Sequence, residues 1–294
     1  MTNVNSSEKK SILVTGATGN VGREIISQLH QQNIFVRAIT RNPQLANFPM
    51  GTEILYGDLS QPEESYFDNI DVMYLMWPFH TSEAAPLIVE MAKKKHIRRI
   101  VFLSSGAVKD DLSPEQYTEP IGRSHSEVEQ LIEQSGLEYT FLRPSTFAVN
   151  TIWWADQIRK GDIVKGAYGT VCMNLIHEAD IAAVAVQALT SNKHNKARYV
   201  LTGPETLSQK EQVHIIGKAL NRPLEWIELS HQEAQKYLLA DDSFPSSFVD
   251  ILLNGYAKML TTPKPIITST VQEITGRDAR TFYQWVLDHI DEFH

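Results

Sequence analysis

The sequence predicts an α/β chain: a doubly wound parallel sheet with a smaller, mainly helical C-terminal substrate lobe. Two observations carry this. Strand-like and helix-like stretches alternate from Ser11 to Pro144, the pattern of βαβ units whose sheet is covered on both faces. Residues 12–22, Ile-Leu-Val-Thr-Gly-Ala-Thr-Gly-Asn-Val-Gly, run from a buried-strand pattern through Gly16, Gly19 and Gly22 into a helix-forming stretch. That is the Rossmann arrangement, in which a glycine turn and a helix N-terminus hold a dinucleotide pyrophosphate. The 294 residues, 42% of them hydrophobic, suffice for a sizeable core.

Each element has its own signal. Ser11–Thr15 is the first strand, and Arg23–Gln32 is a helix with Ile25, Ile26 and Leu29 on one face. Phe35–Thr40 is the second strand, broken by Arg41-Asn42-Pro43, and Glu53–Tyr56 is a short third that ends in Gly57-Asp58. Asp71–Met76 is cut by Pro78, Ser82–His96 is a helix, and Arg99–Ser104 is the fifth strand. Ser124–Gln134 is a helix closed by Gly136, whose lack of a Cβ suits a left-handed cap. Tyr139–Leu142 is a sixth strand, stopped at Arg143-Pro144. Beyond it lie an aromatic stretch at 150–160, a small-residue helix at Ala179–Leu189, a late strand at Arg198–Thr202, and a mostly helical remainder ending in Thr281–Ile290. The expected division is a nucleotide-binding domain over 9–148, with returning segments near 171–202, and a substrate lobe within 149–294.

Bulk properties exclude several classes. The formal net charge is −8 and the only basic block, Lys93-Lys94-Lys95, sits at a predicted helix end where cations are favoured anyway. No nucleic-acid groove is expected. Cys172 is the only cysteine, which rules out an internal disulfide and a cysteine-rich metal site. His177 and Asp180 lack a ligand cluster of metal spacing, so no metal is expected. Residues 1–10 are polar and read as a flexible tail of about eight residues rather than a signal peptide. No apolar run reaches the roughly 20 residues of a membrane span. A cytoplasmic protein without a membrane partner follows, with a homodimer left open.

The cofactor candidates are Gly16, Ala17, Thr18, Gly19, Asn20, Val21 and Gly22. Gly16 permits the tight turn, Gly19 the approach of backbone to pyrophosphate, and Gly22 close packing of the helix on the strand. The end of the second strand discriminates between the two nicotinamide cofactors. An acidic residue there would bind the ribose hydroxyls of NAD. This chain has Thr40-Arg41-Asn42, with Arg37 also basic. A charge-assisted bond from Arg41 to a 2′-phosphate, worth roughly 1.5–3 kcal/mol, favours NADP(H) over NAD(H). Asp58 accepts from an adenine amino group, caps a helix over 61–67, or does both.

Thr-Gly-Ala-Thr-Gly-Asn-Val-Gly (15–22), Gly-Asp-Leu (57–59), Ser-Ser-Gly (104–106), Ser-Gly-Leu-Glu-Tyr-Thr-Phe-Leu-Arg-Pro (135–144), Asp180-Ile181-Ala182, Leu201–Glu205 and Thr275-Gly276-Arg277 together resemble the NmrA-like family. This is a branch of the atypical short-chain dehydrogenase/reductases. The resemblance spans nearly the whole chain with its motifs in order. It implies a Rossmann fold, NAD(P) binding and, through Gly-Asp-Leu, a cofactor role for Leu59. Members include quinone reductases, triphenylmethane-dye reductases, an iminium reductase and non-catalytic NADP sensors. Active short-chain enzymes carry Tyr-x-x-x-Lys; here Ile121 and His125 fall at those two positions. Reduction of an ordinary ketone benefits from a proton donor by about 10²–10⁴-fold. A quinone, iminium or cationic dye accepts hydride without one at that instant.

The remaining candidates follow from position. His125 shares a helical stripe with Val128, Leu131 and Ile132, facing the sheet: it bonds the nicotinamide ribose or carboxamide, packs as a core histidine, or donates a proton. Ser104 and Ser105 end the fifth strand and either touch nicotinamide or substrate or cap the loop. Met76, Trp77 and Pro78 end the fourth strand near the switch point. Phe79, Phe147, Trp153, Trp154 and Tyr168 are candidate substrate-pocket walls for a flat conjugated molecule; ordinary packing is their alternative. Tyr117 is a less favoured phenol source. Glu127, Glu129 and Glu133 read as a solvated helix face. The expected function is NADPH-dependent hydride transfer to a small conjugated acceptor such as a quinone, with a non-catalytic NADP(H) redox sensor as the competing reading.

Overall fold

A computed structural model describes residues 10–240 and 245–294; the N-terminal tail expected from the sequence lies outside them. The chain forms two compact units. The first takes in Met1–Pro144, Glu178–Leu201 and Thr270–Arg277, and the second Ser145–His177, Thr202–Ser269 and Asp278–His294. Residues 171–177 thus stand in the second unit, and 270–277 return to the first. Elements are numbered in chain order through both.

In the first unit β1 (Ser11–Val14), β2 (Phe35–Thr40), β3 (Glu53–Tyr56), β4 (Val72–Met76), β5 (Arg99–Leu103), β6 (Glu138–Pro144) and β9 (Ala197–Leu201) form a seven-stranded sheet in the order β3-β2-β1-β4-β5-β6-β9. Every pairing is parallel; Ile12 lies opposite both Val36 and Val72. Ile12–Val14, Val72–Leu75 and Ile100–Phe102 are buried without alternation, as expected of strands covered on both faces. Helices α1 (Asn20–His30), α2 (Ala85–Lys94), α3 (Pro120–Gln134), α5 (Glu178–Thr190) and α9 (Thr270–Thr275) belong to this unit. Helix α1 buries Val21, Ile25, Ile26 and Leu29, each worth roughly 1.5–3 kcal/mol, and packs on α5. The strand order reverses beside β1, which puts a ligand crevice at the carboxyl ends of β1 and β4.

Helix α1 starts at Asn20 and α3 at Pro120, both ahead of the sequence expectation. Pro120 in the first turn of α3 has the fixed φ a helix start needs. The helix expected over 61–67 is only a 3-10 turn, Glu64–Phe67.

The second unit holds α4 (Ala155–Lys160), α6 (Gln209–Leu220), α7 (His231–Leu239), α8 (Ser246–Thr261) and α10 (Phe282–Asp288), after a 3-10 run at Ala148–Trp154. Two small ladders join them: β7 (Ile163–Gly166) runs parallel to β11 (Glu225–Glu228), and β8 (Cys172–Met173) antiparallel to β10 (Leu207–Ser208). Capping boxes at Ser208/Glu211, Ser230/Glu233 and Thr281/Gln284 satisfy the first amides of α6, α7 and α10. Trp285 is fully buried and stacks on Phe282 at 5.6 Å. Among the described residues no helix is long and apolar enough to cross a membrane.

Candidate functional site

In the first unit the glycine turn follows β1 directly. Gly16 sits at φ +59, a left-handed conformation that disfavours a side chain. Gly22 is sterically required: a Cβ there would lie 2.3 Å from the Gly16 carbonyl oxygen and 2.9 Å from Ala17 Cα. The close approach is thus between α1 and the turn itself. Ala17, Val21 and Gly22 are buried, while Gly19 and Asn20 are exposed. Gly19 is the N-cap of α1, without a side-chain cap or an acidic residue in the first turn. The first amides of the helix therefore have no intrahelical acceptor and face the positive end of the dipole. This cradle fits a pyrophosphate on chemistry alone.

Neighbouring strand ends are tied to that turn. Thr15 Oγ1 donates to the Tyr74 carbonyl (3.1 Å) and accepts from the Met76 amide (2.9 Å). Thr18 and Thr40 hydroxyls lie 3.0 Å apart, and Thr40 Oγ1 accepts from the Asn42 amide at 3.1 Å. This fixes the loop that carries Arg41, whose side chain is exposed. No acidic residue ends β2, so the end of that strand fits a 2′-phosphate. Arg37, in contrast, is buried and committed to Glu53 (2.6 Å) and to the carbonyls of Tyr66 and Asp68. Asp58 accepts from the Ser60 amide at 2.8 Å rather than capping a helix over 61–67. That bond holds its carboxyl below the usual range, with a smaller contribution from the Arg41 charge. Leu59 is buried in the core.

Trp77 is also buried in the core, its indole N–H donating to the Thr81 carbonyl at 2.9 Å and its ring edge-on to Phe79 at 5.1 Å. Pro78 is exposed. Tyr117 is held in its loop: its hydroxyl accepts from the Lys109 amide at 2.6 Å and donates to the Lys109 carbonyl at 3.0 Å.

His125 and Ser104 have defined hydrogen-bond states. His125 Nδ1 lies 2.9 Å from the Ile121 carbonyl; a carbonyl only accepts, so Nδ1 carries the proton and Nε2 offers a lone pair. Burial lowers the His125 pKa, only partly opposed by the Ile121 bond, so the ring is neutral near pH 7. It stacks on Phe102 at 5.8 Å. Ile121 is exposed. Ser104 Oγ donates to Glu129 at 2.5 Å, which leaves that oxygen free to accept. Ser105 Oγ accepts from the Ala107 amide at 3.2 Å and so caps the loop.

Glu129 corrects the reading of a solvated helix face. It is buried and forms a two-bond pair with Arg143, Nη2–Oε2 2.6 Å and Nε–Oε1 3.0 Å. Arg143 also reaches Asp110 at 2.9 Å. Burial opposes the arginine charge, and the two carboxylates outweigh it, so its pKa is raised. Glu127 pairs with Ser82 and Arg123, and Glu133 with Tyr139 and Arg198. The signal was present: His125, Glu129 and Ile132 follow i, i+4, i+7, so Glu129 falls on the buried face.

The second unit contains a cavity of about 520 Å³. Trp153, Trp154, Trp226 and Tyr256 supply aromatic walls, and Gln209 and Gln212 line it as well. Trp154 and Trp226 meet edge-on at 5.8 Å. Phe147 and Tyr168 do not line this cavity; Phe147 pairs with Ile176 in a bridge, and the Tyr168 hydroxyl is 2.7 Å from His231 Nδ1. Phe79 lies in the first unit, against its core. Gln209, Gln212, Trp226 and Tyr256 escaped sequence reasoning because nothing in their local spacing marks a pocket.

Known proteins match this frame. A model of NAD(P)H-binding proteins matches residues 16–192. The chain belongs to the NAD(P)H-binding family. A (4-alkanoyl-5-oxo-2,5-dihydrofuran-3-yl)methyl phosphate reductase of Streptomyces griseus is 34% identical over 286 residues, 96% of this chain and 99% of that protein. An NAD(P)H azoreductase of Xenophilus azovorans is 30% identical over 291 residues, 96% and 99% of the two chains. Among solved structures, a triphenylmethane reductase of Citrobacter sp. has a TM-score of 0.79 at 20% identity, over 96% of this chain and 99% of that one. An NADPH-dependent quinone oxidoreductase of Escherichia coli, complexed with NADPH, has 0.77 at 21%, over 95% and 99%. The last two show the fold. The family member is thus an NAD(P)-binding Rossmann-type oxidoreductase of the NmrA-like, atypical short-chain kind.

Proposed function

We propose that the protein is an NADPH-dependent reductase of a small conjugated acceptor, such as a quinone. The observation that carries the acceptor class is the pair of residues where short-chain enzymes hold Tyr and Lys: an exposed Ile121, and a neutral His125 whose N–H is spent on the Ile121 carbonyl. The aromatic-walled cavity of the second unit suits a flat substrate, and both curated relatives described above bear the names of reductases of conjugated compounds.

In this reading the turn 16–22 binds the pyrophosphate, with the amides from Asn20 onward offered to it while the Gly19 amide closes the turn on the Gly16 carbonyl at 3.0 Å. Arg41 reads the 2′-phosphate, and Asp58 and Leu59 flank the adenine side. Met76, Trp77 and Pro78 lie along the strand ends toward the nicotinamide. His125 Nε2 accepts from a ribose hydroxyl, and Ser104 Oγ accepts from the carboxamide. When bound, the reduced cofactor supplies a hydride. Trp153 and Trp154 wall the acceptor site and exclude water, and solvent protonates the product. The protein works in the cytoplasm.

The test is NADPH absorbance against quinones, azo and triphenylmethane dyes, iminium compounds and simple ketones. Turnover of conjugated acceptors without ketones is expected. Equal ketone turnover overturns the acceptor class, and tight NADP(H) binding without any turnover identifies a sensor instead.

A further inference from the structure

Gln209 and Gln212 stand on one face of α6, three residues apart, and both are buried while lining the cavity. Gln209 Nε2 donates to the carbonyls of Ala167 and Tyr168, each at 3.0 Å. Gln212 Nε2 donates to the Leu207 carbonyl at 3.1 Å. Backbone carbonyls only accept, so the orientation of both side-chain amides is settled. Each amide oxygen is left without a partner among the described residues. Among the described residues the buried side-chain polar atoms without a partner are Tyr74 Oη and Asn174 Nδ2, so both glutamine oxygens open onto accessible space, where a donor on a ligand takes the place of water.

Other walls carry donors of their own, among them Asn150, Lys160 and Lys165. The Trp226 indole N–H is already given to Glu228 at 2.9 Å. Tyr256 stays protonated, burial pushing its phenol up to about 12. An unsubstituted quinone carries only carbonyl oxygens, which those donors can serve but which bring no hydrogen to the amide oxygens of Gln209 and Gln212. A ring system bearing an amino or hydroxyl group meets them with hydrogens.

We propose that Gln209 and Gln212 select, among flat conjugated molecules, those with a hydrogen-bond donor on the ring system: an amino- or hydroxy-substituted quinone over an unsubstituted one. The proposal rests on the reading of this cavity as the acceptor site and names its substrate class. The ligand presents N–H or O–H to the two amide oxygens and lays its rings against Trp153, Trp154 and Trp226.

A matched pair tests it. In 2-amino- and 2-methyl-1,4-naphthoquinone the substituents have similar volume, but only the first donates. Calorimetric titration of the full chain should give the amino compound about tenfold tighter binding, since each neutral hydrogen bond is worth a few-fold. In Gln212→Met that preference should shrink to about threefold or less, with affinity for the methyl compound within about twofold of wild type. Equal affinities in the wild type overturn the proposal, as does a preference that survives in both Gln212→Met and Gln209→Met. The wild-type comparison decides even if a variant fails to fold. Because the readout is binding heat, failure here is separable from failure of the reductase reading. Donor selectivity without NADPH oxidation refutes only the latter, and NADPH oxidation with equal affinities refutes only the former.

Discussion

Gly22→Ala tests the cofactor cradle at its tightest point. The new methyl would meet the Gly16 oxygen at 2.3 Å, Ala17 Cα at 2.9 Å and the Ala17 oxygen at 3.0 Å. All three are backbone atoms, so no rotamer change relieves the clash; α1 or the turn must move by about 1 Å. Overpacking of this kind costs about 1–3 kcal/mol, against which alanine returns about 0.8–1 kcal/mol of helix propensity. A net loss of about 0–2 kcal/mol is expected in urea denaturation. The same shift misaligns the first amides of α1. Loss of one bond to a charged phosphate, about 1.5–3 kcal/mol, raises the NADPH Kd by roughly 10–100-fold, read by cofactor fluorescence. Gly255→Ala is the control: it lies within α8 with nothing within 4 Å of its Cβ. It should gain about 0.5–1 kcal/mol and leave NADPH binding unchanged. Gly22→Ala with wild-type stability and an NADPH Kd within about twofold of wild type would refute the reasoning.

Three further outcomes are expected. Arg41→Ala should raise the NADPH Kd by about 10–100-fold and leave NADH within about twofold in a parallel titration; equal losses for both would remove Arg41 from phosphate recognition. Glu129→Leu strands the buried Arg143 with only Asp110, and should cost about 3–5 kcal/mol in urea unfolding, most of it recovered in Glu129→Leu/Arg143→Met; a single-variant cost under about 1 kcal/mol contradicts the buried pair. Because the folded His125 pKa lies below its ordinary 6.5, the unfolded chain takes up that proton first. Stability therefore falls as pH drops from 6.5 towards the lowered value. His125→Asn should flatten this slope in denaturation at stepped pH, leaving the part due to His194, which burial also lowers; an unchanged slope rules His125 out.

The parallel sheet was legible because its strands repeat one physical signal. Phe35–Thr40 and Glu53–Tyr56 agree with the expectation residue for residue: the first is a mostly buried run and the second alternates between half-buried and exposed, and both are cut by loop-forming residues. Helix starts were less legible. Gly19, the N-cap of α1, has no side chain to mark the start, and the first turn of α3, Pro-Ile-Gly-Arg, carries no apolar repeat, so periodicity begins only later. The ladder between Ile163–Gly166 and Glu225–Glu228 depends on a partner some sixty residues away, which no local window contains. The glycine turn was legible as a motif, but the reason for Gly22 was not. The sequence suggested packing on a strand, whereas the close contact is with Gly16 and Ala17. Glu129 was misread for a similar reason: its charge outweighed its helical phase until Arg143 was seen to meet it.

The proton inventory around β5 and α3 narrows the chemistry beyond what residue types alone allow. Ser104 gives its hydrogen to Glu129, Tyr117 to the Lys109 carbonyl, and His125 to the Ile121 carbonyl. Each of these groups, read from sequence, was a conceivable acid; each, in place, has its hydrogen already committed. Arg143 reinforces the arrangement, because its two hydrogen bonds hold the Glu129 carboxyl in place beside Ser104. A chain with these groups so disposed gives little help to an acceptor whose reduction leaves a localised alkoxide, where a positioned acid is worth about 10²–10⁴-fold. It places no such handicap on an acceptor that spreads the incoming charge over a conjugated system and collects its proton later from water. Isoleucine at 121, where the resemblance puts the tyrosine of short-chain enzymes, is therefore coherent with the wiring around it, and a tyrosine placed at 121 alone would not create an acid–base pair while His125 remains bonded to the backbone.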